Sequence, residues 1–440
     1  MLVIRDGRVI DPSRGFDEIA DVVVEAGRVT RVGRGASAQL AGEGQNVRVG
    51  ENVRVGENIR IIEAKGHWVV PGFIDLHAHF REPGHEYKED IASGLRAAAA
   101  GGFTRVCVMP NTKPVNDTRA ITEMMMARGR EAGGPHLHPF GAATLGSRGE
   151  QLTEMADLRE AGAIGISDDG KCLMNSAVMR AALEYARTFD MLFSQHCEDH
   201  NLTSGAHMHE GHVSTRLGLG GWPRAAEDII VARDLILAEL TGARYHVAHV
   251  SSLGAVRLLR EAKSRGLAVS AEVTPHHLML DHEALLGFDT ACKVNPPLRE
   301  PEDIEALRQA LRDGTIDCIA TDHAPHSSLE KDCEFAAASP GMIGLEPAVP
   351  ALLDLVRDGL LTPLRLCEAL STQPARVGRL PGGTLREGAT ADIAIIDPER
   401  RWTISAASLH SRSTNTPWLH KEVCGKAVMT IVAGQIVYEA

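Results

Sequence analysis

No apolar run in this sequence is long enough to span a bilayer, which needs roughly 20 residues. Its start, "MLVIRDGRVIDP", also lacks a signal-peptide core, because after Met1 only Leu2, Val3 and Ile4 precede Arg5. There is no C-x-x-C pair. The eight cysteines (107, 172, 197, 292, 318, 333, 367 and 424) are scattered and read as reduced thiols, Cys197 as a buried structural one. These absences together predict a cytoplasmic protein with no membrane partner. Basic excess is missing too: the net charge of −12 argues against nucleic acid as the main partner. An anionic substrate would have to be captured by a few placed arginines. A phosphate loop is also lacking, since "LGLGGW" (Leu217–Trp222) has no Lys-Ser/Thr partner.

What is present is 440 residues, 44% hydrophobic and 24% charged, enough for a sizeable core in one large or two ordinary domains. Short alternating runs such as "VIRDGRVID" and "DVVVEAGRVTRVG" fill residues 1–70 and read as antiparallel strands with Gly turns. Inside them "QNVRVG" (Gln45–Gly50), "ENVRVG" (Glu51–Gly56) and "ENIRI" (Glu57–Ile61) repeat. That is too few units for a β-helix, and the repeat reads as a duplication lengthening a surface hairpin. Deleting one unit is expected to leave activity intact.

From Val69 onward, strands alternate with helices. Candidate strands are Val69–Leu76, Thr104–Met109, His136–Ala142, Ala163–Ile166, Met191–Gln195, Tyr245–Ala248, Ala268–Val273 and Ile316–Thr321. Segments such as "SAVMRAALEYARTF" and "AAEDIIVARDLILAEL" supply the helices. Eight such units fit a (β/α)8 barrel, whereas a doubly wound sheet would place a Gly-rich turn after its first strand. After Leu380 the short-strand pattern returns. The expected fold class is α/β: a distorted (β/α)8 TIM-type barrel over 71–378, with a small β-sandwich domain formed by both chain ends, 1–70 and 379–440.

The first barrel strand ends in "DLHAHFREPG". His77 and His79 are two apart, so on an extended strand both imidazoles project from one side, a natural pair of ligands for a divalent ion. Asp169 follows the fourth strand, His196 ends the fifth, His249 the sixth and Asp322 the eighth. In a barrel these strand ends surround one mouth. Four histidines and two carboxylates exceed what one tetrahedral ion takes and suit two metals. One would be held by His77, His79 and Asp322, the other by His196 and His249, with a carboxylate shared between them. Two such ions acidify water toward neutrality, which implies hydrolysis of a polarised carbonyl. His136, His138, His207, His209, His212 and His420 read as structural or exposed. His276 and His277, after the seventh strand, sit near the mouth without a direct role.

"PGFIDLHAHFREPG", "VMPNTKP", "KVNPPLR" and "TDHAPH" resemble, in order and spacing, the amidohydrolase superfamily, and within it the bacterial dihydroorotases found alongside aspartate carbamoyltransferase. The resemblance covers nearly the whole chain, including "GTLREGATADIAIIDP". It implies reversible, zinc-dependent interconversion of dihydroorotate and N-carbamoyl-L-aspartate in pyrimidine synthesis, with two Zn2+ per subunit on His77, His79, Asp169, His196, His249 and Asp322. It also implies substrate contacts from His79, Arg81, Asn111, Asn295 and His326, and from the backbone at Pro340 and Gly341. Arg81 would grip the substrate carboxylate in a bidentate fork, with Asn111 and His326 donating further hydrogen bonds. Asp322 would take the proton of the attacking water and pass it to the leaving ring nitrogen. "SSLEKDCEFAAASP" (Ser327–Pro340) reads as a mobile loop over the substrate. The resemblance leaves room for a homodimer and for association with aspartate carbamoyltransferase.

Hydantoinases and allantoinases share the fold and metals but generally bridge them with a carboxylated lysine, and hydantoinases lack an arginine for a substrate carboxylate. A non-catalytic scaffold relative would be expected to have lost metal ligands, and here all six candidates are present. In "ISDDGK" (Ile166–Lys171) the spacing selects Asp169 as the bridge over Asp168, which would support the turn. Lys171, beyond Gly170, is the alternative.

Overall fold

The computed structural model describes residues 1–37, 48–49, 53–56 and 59–440. The chain opens with β1 (Leu2–Asp11), β2 (Phe16–Glu25), β3 (Arg28–Gly33), β4 (Arg48–Val49), β5 (Val53–Gly56), β6 (Ile59–Glu63) and β7 (Trp68–Pro71). Next come β8 (Phe73–Ala78), β9 (Phe103–Val108), β10 (His136–Gly141), β11 (Gly165–Ile166) and β12 (Leu192–Gln195). A short pair, β13 (Met208–His209) and β14 (Gly221–Trp222), precedes β15 (Tyr245–Val247), β16 (Val269–Val273) and β17 (Cys318–Ile319). The chain ends in β18 (Ile393–Thr403), β19 (Glu422–Val432) and β20 (Gln435–Glu439).

Eight strands hydrogen-bond in the order β17-β16-β15-β12-β11-β10-β9-β8, every neighbouring pair parallel. The two end strands meet where Ala78 bridges His323 and His79 N–H donates to the His323 carbonyl at 2.8 Å. The result is a nearly closed barrel, as expected. Its strands are largely buried, and helices such as Ile91–Ala100, Ser176–Thr188 and Leu253–Ser264 cover them. The main core lies between strands and helices, with Phe103, Val106, Phe193, Val247, Leu183 and Leu259 in it.

The run expected as one strand over Val69–Leu76 is two. β7 pairs with β1 and β18, while β8 opens the barrel, so the expected boundary at 70/71 falls inside β7. The two part at Gly72, where a Cβ would lie 2.2 Å from the Thr104 side chain, so that only glycine fits. Periodicity shows no such break because both strands are buried throughout.

Both chain ends build one second sheet, the small β domain expected beside the barrel. β1 pairs along one edge with β2, and along the other first with β6 and then with β7. The sheet therefore forks, and both arms feed one core containing Ile4, Val22, Ile62, Val69, Ile393 and Ile431. It is fastened to the barrel by a buried Arg105–Asp392 ion pair at 2.8 Å and by Thr430 Oγ1 donating to Ala99 O at 2.6 Å. The repeat at 45–61 lies partly outside the described residues. Where described, it forms an antiparallel meander, β4 on β5 and β5 on β6.

Candidate active site

The six predicted ligands converge at the barrel mouth. His77 lies in β8 and His79 just past it; Asp169, His196, His249 and Asp322 follow β11, β12, β15 and β17 within three residues. All six are buried. Arg81, His249 and Asp322 have φ of 59°, 32° and 47°, left-handed backbone that costs a non-glycine residue on the order of 1 kcal/mol or more. Such strain gathers where geometry serves a site.

Asp169 stands at the centre. Its Oδ1 is 3.3 Å from His77 Nε2 and 3.8 Å from His249 Nε2, and its Oδ2 is 3.5 Å from His79 Nε2. Asp322 Oδ1 is 3.1 Å from His79 Nε2 and 3.6 Å from His77 Nε2. His77, Asp169 and His249 form one cluster of potential ligand atoms, and His77, His79 and Asp322 another, each within 4.8 Å. His196 stands outside both, with Nδ1 3.0 Å from His249 Nε2.

Behind these residues is a layer of which motif reading names only Asn111. His77 Nδ1 donates to Glu272 at 2.7 Å, and Glu272 also holds His246 at 3.0 Å. His79 Nδ1 donates to the Asn111 carbonyl at 2.9 Å, and His196 Nε2 donates to Glu198 at 2.8 Å. Each partner fixes a tautomer and turns the other ring nitrogen, with its lone pair, into the site. Metal-ligating histidines are usually held this way. His77 Nε2 and Asp169 Oδ1 are buried without any hydrogen bond, a costly arrangement unless a cation meets them. The donor set fits divalent metal. The sequence did carry a signal for Glu272, an acidic residue in the apolar "AVSAEV" strand, and for Glu198, two places after His196.

Beside the ligands is a cavity of ≈ 220 Å³, lined by Arg81, Asn111, Asn295, His326, Pro340 and Gly341 with His79, Asp169, His196, His249 and Asp322. Every residue expected to touch substrate is thus in one wall. Three of them have hydrogen-bond partners within the protein: Arg81 Nε donates to Pro325 O at 3.2 Å, Asn111 Nδ2 donates to Asp169 Oδ2 at 3.3 Å, and His326 Nε2 donates to Pro340 O at 2.9 Å. Asn111 thereby also orients His79 and Asp169. His277 bonds Thr274 and Pro296 O, a structural role. Asp168 accepts the Ala143 and Thr144 amides at 2.8 and 3.0 Å, tying β11 to β10, while Lys171 is exposed.

Burial opposes ionisation throughout the site, and at Asp169, Asp322 and His77 local charge overrides it. Against burial, the His77 charge and the nearby His249 and His79 rings hold Asp169 well below the carboxylate range. Asp322 is likewise lowered, by His79 and its neighbours. His77 is raised well above the ordinary imidazole by Asp169 and Glu272, whereas burial lowers His79. Burial and the Arg81 charge push His326 down to about 2, so its ring is neutral.

A family model described as Dihydro-orotase-like matches residues 66–254. A dihydroorotase of Anaeromyxobacter dehalogenans is 52% identical over 441 residues, covering 100% of this chain and 98% of that protein. One of Pelobacter propionicus is 51% identical over 437 residues, covering 99% of each. Among solved structures, the L-hydantoinase (dihydropyrimidinase) of Arthrobacter aurescens superposes with a TM-score of 0.85 over 100% of this chain and 96% of its own. Its identity is 23%, so that likeness speaks for the fold alone. At about half the residues identical over full length, the chain belongs to the dihydroorotase family of cyclic amidohydrolases.

Proposed function

We propose that this enzyme interconverts (S)-dihydroorotate and N-carbamoyl-L-aspartate at the barrel mouth, with two zinc ions held by His77, His79, Asp169, His196, His249 and Asp322. The observation that carries the reading is convergence: Arg81, an anion-capturing group, shares one small cavity with five of the six candidate ligands, His79, Asp169, His196, His249 and Asp322. When bound, the ions supply Lewis acidity toward a carbonyl and acidify water. The chain's own residues do the rest. Arg81 anchors the substrate carboxylate through two N–H groups and sets the ring so that one imide carbonyl faces the ligand cluster. Asp322, held ionised beside His79, receives the proton of the attacking water. Its carboxyl then delivers that proton to the ring nitrogen as the C–N bond breaks. Asn295 and the Pro340–Gly341 backbone complete the wall and narrow the space left for water.

The same proposal keeps the three structural divisions near 1–70, 71–378 and 379–440, with the first boundary drawn after β7 at Pro71, and places the enzyme in the cytoplasm, a placement its eight free cysteines support. It includes a homodimer and leaves a place for aspartate carbamoyltransferase. Exposed Ile229, Ile236 and Leu240, on the helix Ala225–Thr241, support a subunit contact.

A metal count on purified protein, paired with hydrolysis rates on dihydroorotate, hydantoin and allantoin, tests the reading. The expected result is near two ions per chain and a clear preference for dihydroorotate. A metal-replete protein active on hydantoin and inactive on dihydroorotate overturns it.

A further inference from the structure

Lys293 and Lys331 are 6% and 7% exposed, and among the described residues no carboxylate pairs with either ammonium. Burying an unpaired ammonium is costly, so such a group is usually set against an acid. Here main-chain carbonyls take that place. Lys293 Nζ donates to Phe335 O at 2.8 Å and Ala336 O at 2.9 Å, and lies 5.3 Å from the Phe335 ring centre. Lys331 Nζ donates to Ser339 O at 2.7 Å and to Lys293 O at 3.5 Å. Lys293 O also accepts Gly341 N–H at 2.8 Å, and Thr290 Oγ1 donates to Lys331 O at 2.6 Å. These bonds stitch 290–293 to 331–341. The first segment leads into Asn295 and the second ends in Ser339, Pro340 and Gly341, all in the cavity wall with Arg81.

We propose that Lys293 and Lys331 are positioning residues for substrate capture, clamping the Ser339–Gly341 wall against the Asn295 wall and leaving uncompensated positive charge behind the place where an anionic substrate is held. The proposal rests on the reading of dihydroorotate as substrate and says what closes its pocket. Charge-assisted bonds are about twice as strong as neutral ones, so the clamp depends on the ammonium form. Burial and then the Lys293 charge push Lys331 down to about 7, while Asp289, Cys292 and Cys333 pull the other way. On the same segment, the Lys331 charge in turn presses His326 downward while Glu330 opposes it. Above that pH Lys331 turns into a neutral amine, and both the clamp and the positive charge weaken.

The test uses full-length, metal-loaded enzyme and Lys331→Met. At pH 6.5 the KM for dihydroorotate rises roughly ten-fold, with kcat within about two-fold. The variant-to-parent KM ratio then shrinks above pH 8, where the parent loses its own ammonium. Amide exchange across 332–341, measured without substrate, is faster in the variant at pH 6.5, and Lys293→Met moves both readouts the same way. An unchanged KM at pH 6.5, or a ratio that stays constant with pH, overturns the proposal. If the variants fail to fold, the parent decides: KM and exchange at 332–341 both flat from pH 6 to 9 also overturn it. If the parent itself does not turn over dihydroorotate, the substrate reading falls, and the exchange comparison still judges the clamp.

Discussion

His77 takes its role from what stands behind it. Glu272 fixes its tautomer and keeps its other nitrogen facing Asp169, so on the proposed two-metal reading this carboxylate would act on metal affinity through His77. Glu272→Gln is expected to lower metal affinity roughly ten-fold, read by competition with a chelator; unchanged affinity would reduce Glu272 to scaffolding. For the bridge, Asp169→Ala should empty the site in a metal count, while Lys171→Ala should leave it filled. The reverse outcome would hand the bridge to the lysine. The candidate ligands were legible because each lies within three residues of a strand end, and strand ends in a barrel share one mouth. The partners behind them were not. Glu272 sits inside β16, and only the folded barrel sets it beside His77, 195 residues away in sequence.

Elements were legible wherever burial changes along the chain. All eight barrel strands were readable, since polar helix faces separate them. Gly72 was not, because β7 and β8 are buried alike. The loop Ser327–Pro340, expected to be mobile, carries a helical turn at Ser328–Lys331. It is also tied down by Lys88 to Glu330 at 2.5 Å and by buried Phe335. One element carries an acid liability. In β10, burial and then Arg105 push His138 down to about 3 from an ordinary 6.5. The unfolded chain takes up that proton near pH 6.5 and the folded chain only near 3. Stability is therefore complete above 6.5 and falls as pH drops toward 3. His138→Gln should flatten that slope in melting curves between pH 4 and 7; an unaltered slope would assign the effect to other groups.

At the scale of the whole molecule, the forked sheet keeps the repeat far from the chemistry, because β4 and β5 end one arm of it. Removing residues 51–56 should leave kcat/KM within about two-fold of the parent, and a larger loss would show that this arm supports the barrel. Among the described residues no helix is long and apolar enough to cross a membrane.

The seam between β8 and β17 has its own bearing on how the enzyme comes to be. His79 and Asp322 face each other across it, 243 residues apart in sequence. A growing chain holds five of the six candidate ligands before the last strand arrives. Until Asp322 docks, the cluster of His77, His79 and Asp322 is incomplete. On the proposed mechanism turnover would therefore wait until the ring is complete, and the first product formed would report that the last strand has joined the first.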